Sequence, residues 1–97
     1  MLQNQKDFKR AEAVFLATLD QARQLAKTNP AAYQADVAGT LNNLAILYGD
    51  TQRLKEAEAA YLEALDIHRQ LAKTNAAAYQ LDVAQTLNNL EIGRAHV

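Results

Sequence analysis

The sequence predicts an all-α chain of about four helices, folded as antiparallel hairpins. Three observations predict it. Apolar residues recur at helical spacing, as in Leu41, Leu44, Ala45 and Tyr48, and no alternating strand pattern interrupts them. Gly and Pro are scarce, three and one in 97 residues, while Ala, Leu and Gln abound. The third observation is an internal duplication. The run Gln24 to Asn29 (QLAKTN) returns as Gln70 to Asn75, 46 residues later. In that frame residues 11–46 align with residues 57–92, and only ten of the 36 pairs differ. A match of that length is a repeated structural unit, and its length allows one domain.

The elements follow in order. Residues 7–28 form the first predicted helix, with Ala11, Phe15, Thr18, Leu19, Ala22, Leu25 and Ala26 on its inner stripe. Thr28-Asn29-Pro30 stops it and starts the next, because Asn caps a helix and Pro suits a first turn. The second helix covers 30–50, with an irregular beginning expected around 30–34 and with Tyr33, Val37, Leu41 and Leu44 facing inward. Asn42, Asn43 and Ile46 fall off that stripe. Gly49-Asp50-Thr51 breaks the period, since Gly tolerates positive φ and Asp and Thr compete for backbone hydrogen bonds. The third helix, 53–74, carries Leu54, Ala57, Tyr61, Ala64, Leu65 and His68 on one face. Its small residues let the neighbouring helix approach, and Tyr61 fills the space between. The fourth helix runs from 76 to about 92, with Tyr79, Val83, Leu87 and Leu90 inward.

The two ends read differently. In the repeat frame Met1-Leu2 falls on Leu47-Tyr48, so the chain is expected to begin inside a repeat. At the other end Glu91 replaces the small Ala45, and residues 93–97 match nothing in 47–51. The last seven residues, EIGRAHV, are encodable as GAG ATC GGA AGA GCA CAC GTC, which resembles a common sequencing adapter. The expected organisation is a half repeat 1–29, a full repeat 30–75, a half repeat 76–90 and a foreign tail 91–97. Codons that depart from the adapter would refute the last of these.

The full hairpin resembles a known family. Leu41, Leu44, Ala45, Tyr48, Ala57, Tyr61 and Ala64 stand in the order and spacing of the tetratricopeptide-repeat signature. The LNNLA-x-LY and EAE-x-x-Y-x-x-AL runs look most like the longer variety of kinesin light chains. Gln52 stands where the family usually has Gly, and Arg69 where the shorter form has its closing Pro. A period of 46 against roughly 34 in the standard repeat fits a longer second helix. The resemblance implies a right-handed α-solenoid that binds a peptide or helix of a partner protein in its concave groove.

Composition narrows the partners. Ten basic and eleven acidic residues show no basic stripe, so nucleic acid and anionic membrane are not expected. No apolar run approaches the ~20 residues of a membrane span. The chain has no Cys, which removes disulfides and thiol catalysis and fits a reducing, cytoplasmic setting. No nucleophile–base pair, glycine phosphate loop or metal-spaced cluster is visible, so an enzyme, a metal and a cofactor are not expected. His68 reads as a partly buried helix residue, and His96 lies in the tail.

Carried over from the family, the groove positions are Gly39, Asn42, Ile46 and Asp50 in one copy and Gln85 and Asn88 in the next. Asn43 and Asn89 match a neighbouring Asn that in some families helps clamp a peptide carboxylate. Each Asn offers donor and acceptor to an extended backbone, or else one of each doublet serves inter-repeat packing. The basic residues of a carboxylate clamp are missing. Two other functions stay open: a structural segment that self-associates through its open ends, including Phe8, Phe15, Leu87 and Leu90, and a spacer or sensor array attached to a domain this chain lacks.

Overall fold

A computed structural model describes residues 5–95. It has four helices, α1 (Gln5–Thr28), α2 (Pro30–Asp50), α3 (Leu54–Thr74) and α4 (Ala76–Ala95), and no strand among the described residues. Each helix packs on the one before it, α1 on α2, α2 on α3 and α3 on α4. The connections are so short that neighbours run antiparallel, which makes a stepped α-solenoid of 42 × 29 × 20 Å. Met1, Leu2, His96 and Val97 lie outside the described residues.

One residue separates α1 from α2, and one separates α3 from α4, because the duplicated Thr-Asn supplies the same cap twice. The Asn29 side chain accepts from the Ala32 backbone N–H at 3.3 Å, and Asn75 accepts from Ala78 at 3.2 Å. Pro30 has no N–H to satisfy. The irregular start expected over 30–34 is therefore absent, and α2 is helical from Pro30 onward.

The α2–α3 turn corrects a second expectation. Gly49 stays helical, and the left-handed residue is Gln52, with φ 66°. Arg53 N donates to Tyr48 O at 2.7 Å, and Gln52 N donates to Gly49 O at 3.2 Å. These are the two crossed bonds of a Schellman cap, which needs its left-handed residue just past the cap at Thr51. The Arg53 guanidinium stacks 4.6 Å over the Tyr48 ring and pairs with Glu12 at 2.7 Å, so the turn is tied back to α1. Gln pays for its left-handed backbone with steric strain that Gly avoids. Gln52→Gly is expected to raise stability by about 0.5–1 kcal/mol, a Tm increase of a few degrees by circular dichroism.

The core joins Leu19, Ala22 and Ala26 of α1, the α2 face from Val37 through Ala45, Ala60, Tyr61 and Ala64 of α3, and Leu90 of α4. Alanine at 38, 45 and 64 is fully buried, so the helices meet nearly backbone to backbone. Ala57 is buried as well. Ala57→Leu is expected to overpack the hairpin and cost about 1–3 kcal/mol, and an unchanged melting temperature would refute this helix register.

Several side chains depart from the predicted stripes. Thr18 and Leu25 of α1 are exposed, because they border an open groove instead of a helix. Leu90, expected at an open end, is buried as part of the core cluster. His68, expected to be partly buried, is buried at 5% exposure. The α4 helix continues to Ala95, where Arg94 reaches Glu58 at 3.4 Å, instead of stopping near 92. Its outer side is nevertheless thinly covered. Val83 and Leu87 are half-buried and Ala84 is exposed, whereas Val37, Leu41 and Ala38 at the equivalent places on α2 are buried. The difference is α3, which covers α2 and has no counterpart beyond α4 among the described residues.

Candidate binding groove

Two reversals of direction make α2 and α4 parallel, and their surplus faces form one side of the molecule. On α2 the stripe left over from packing is Asp36, Gly39, Asn43, Ile46 and Asp50, all exposed. The spacing of three and four residues keeps them in a single row. The duplication repeats that row on α4 as Asp82, Gln85, Asn89 and Ile92, exposed or half-buried. Acid, small or amide residue, Asn and Ile therefore lie in two parallel files.

A groove of about 640 Å³ runs between the files and α1. Gly39, Asn42, Asn43, Ile46, Gln85 and Asn89 line it, together with Thr18, Gln21 and Leu25. A second hollow of about 540 Å³ continues past Ile46 and Asn89 toward Asp50, Ile92 and Arg94. Of the residues expected to contact a ligand, the structure brings together Asn42, Asn43, Ile46, Gln85 and Asn89. Asn88 is exposed and borders neither hollow.

The two Asn of each doublet differ in environment. Asn42 is half-buried, and its Nδ2 donates to Thr86 Oγ1 at 3.2 Å across the α2–α4 seam. Thr86 is 0% exposed, and its Oγ1 lies 3.2 Å from His68 Nδ1 on α3. Asn42, Thr86 and His68 thus form a polar chain through three helices. Both bonds are satisfied when Thr86 accepts from Asn42 and donates to an unprotonated His68 Nδ1. Burial holds the His68 pKa below its ordinary value, with Asp82 pulling weakly the other way, so the imidazole is neutral near pH 7. The Asn42 Oδ1 is buried without a partner, at the groove wall. Asn43 is exposed and Asn89 half-buried, and neither makes a side-chain hydrogen bond among the described residues, so both amides remain unspent.

Sequence reasoning missed Thr86. The available signal was a Thr inside an otherwise apolar face, present twice, at 40 and 86. In the first copy Ala22 stands where the second has His68, so Thr40 has no such partner.

Residues 37–75 match the family model of the tetratricopeptide repeat. The match supports a repeat of that family over the second part of α2 and the whole of α3. Tetratricopeptide repeats generally mediate protein–protein interaction. The matched span holds Asn42, Asn43 and Ile46, and it ends before the α4 file. Comparison with curated proteins and with solved structures finds no match. No helix among the described residues is long and apolar enough to cross a membrane, and no group of three or more His, Cys, Asp or Glu there is placed to hold a metal ion.

Proposed function

We propose that this chain is a protein–protein interaction scaffold of the longer, kinesin-light-chain-like repeat variety. Its groove holds a segment of a partner protein along the α2 and α4 files. The observation that carries the reading is the paired row: Asn43 with Ile46, both exposed, and Asn89 with Ile92, half-buried and exposed, at matching positions beside a groove large enough for a peptide. An unpaired amide can bond an extended backbone while the Ile beside it covers an apolar side chain. Asn42 lines the groove wall, Gln85 stands one turn before Asn89, and Asn88 flanks the α4 file.

The test is selection of binders from a displayed peptide library on the folded chain. Replacing both Asn43 and Asn89 by Ala is expected to weaken the selected peptides at least tenfold while shifting Tm by no more than a few degrees. Undiminished binding would remove the groove from the account.

One observation favours a second reading. The thinly covered outer side of α4, with Leu81 75% exposed, Ala84 exposed and Leu87 half-buried, suits association with another chain. Sedimentation across concentration separates the two readings. Association that persists in the double Asn variant and disappears in Leu87→Glu belongs to α4, not to the groove.

A further inference from the structure

We infer that the groove selects a partner segment with cationic side chains at its two ends and a neutral, partly apolar middle. This rests on the groove reading above and adds the chemistry of the occupant.

Charge is divided unequally between the two kinds of helix. Of ten Lys and Arg in the chain, α2 has none and α4 has one, Arg94. Arg94 is occupied by Glu58 at 3.4 Å and Glu91 at 3.9 Å. The remaining ion pairs also take glutamates: Arg23 with Glu63, and Arg53 with Glu12 and Glu56. Asp36, Asp50 and Asp82, the acids of the two files, join no ion pair among the described residues. Asp36 and Asp50 line the hollows, so the groove wall is anionic and uncompensated there, although the whole chain is near neutral at −1.

The acids are placed at the ends. Asp82 stands at the place on α4 equivalent to Asp36 but borders neither hollow, whereas Asp36 lines the groove near the start of α2 and Asp50 closes the α2 file fourteen residues on. That is roughly 20 Å along a helix, the length of an extended peptide of about six residues. The carbonyl end of α2 adds its partial negative charge to that of Asp50. Between the ends the wall is neutral: Gly39, Asn43, Ile46, Gln85, Asn89 and Ile92, with both Ile about half exposed. The half-exposed Ile46 and Ile92 point to a ligand independently of the acids. An acidic segment, or a free C-terminal carboxylate, meets like charge here and no free cation to offset it.

The probe is a labelled, end-capped heptapeptide with Arg at both ends and Leu and Ile within. Matched peptides carry Gln or Glu in place of both Arg. Fluorescence anisotropy at roughly 50 mM and 300 mM salt reads the affinities. The Arg peptide is expected to bind about tenfold more tightly than the Gln peptide at low salt, with the Glu peptide weakest and the preference shrinking at high salt. The triple variant Asp36→Asn, Asp50→Asn, Asp82→Asn, checked for an unchanged melt, is expected to erase the preference and keep the common affinity. Equal binding of Arg and Gln peptides, lost in Asn43→Ala/Asn89→Ala, overturns the charge inference and leaves the groove reading standing. An Arg preference indifferent to the double Asn variant overturns both. So does the absence of binding by all three peptides.

Discussion

Leu44→Ala is expected to lower Tm by more than 10 °C, the largest loss of any single truncation. Leu44 is 2% exposed and is among the largest fully buried side chains, at the meeting of α1, α2 and α3. Shortening such a Leu removes its transfer free energy and leaves a cavity that tightly placed alanines do not collapse to fill, at a cost of about 2–5 kcal/mol. One kcal/mol is worth roughly 4–8 °C in a domain of this size. The duplication supplies an internal control. Leu90 occupies the equivalent place on α4, but helices cover it from fewer sides. Leu90→Ala is expected to cost about half as much, because the cavity opens toward solvent. Thermal melts at 222 nm decide it, and equal losses would mean that α4 is covered as fully as α2.

Thr86→Val is expected to be the second most damaging change, at about 2–3 kcal/mol, although it conserves shape. It removes the hydroxyl that accepts from Asn42 and faces His68, and buried polar groups that lose their partners bear the full cost of desolvation. Thr40→Val is the matching control, since Thr40 faces Ala22's side of the repeat with no hydrogen bond to lose, and its cost is expected to stay within about 0.5 kcal/mol. The same chain sets a pH dependence. Because the folded His68 pKa lies below its ordinary value of about 6.5, the unfolded state takes up a proton first as pH falls. Stability contributed by neutral His68 is complete above that ordinary value, declines as pH drops below it, and levels off below the folded pKa. His68→Ala, which copies the first repeat, is expected to flatten the melting-temperature profile between about pH 7 and 5. A variant as steep as the parent would remove His68 from the linkage.

Particular residues show what could be read in advance. The four helices and their order were legible because the apolar period and the duplication agree, and because Asn29 and Asn75 are strong caps in identical surroundings. The buried faces of α2 and α3 were legible for the same reason. The left-handed residue was misplaced at Gly49, since composition favours Gly, whereas the hydrogen-bond pattern of the cap requires that conformation one residue past Thr51. The face of α1 was over-drawn at Thr18 and Leu25, because periodicity marks which side is apolar and not whether a neighbour covers it. The doublets Asn42-Asn43 and Asn88-Asn89 placed polar groups at the right stripe. They did not show which Asn faces the seam, because adjacent positions differ by about 100° and the seam partner, Thr86, is 44 residues away.

The measurement that tests the arrangement most directly is NMR of the side-chain amides of Asn42, Asn43 and Asn89 in the intact chain. The expected result is cross-peaks from the Asn42 amide to the Thr86 methyl, slow exchange of that amide with water, and a shift that follows the titration of His68. The Asn43 and Asn89 amides are predicted to exchange quickly and to ignore that titration. If Asn43 instead contacts Thr86 while Asn42 exchanges freely, the row facing the groove is turned by one residue, and the file of Asp36, Asn43 and Ile46 does not form the binding face.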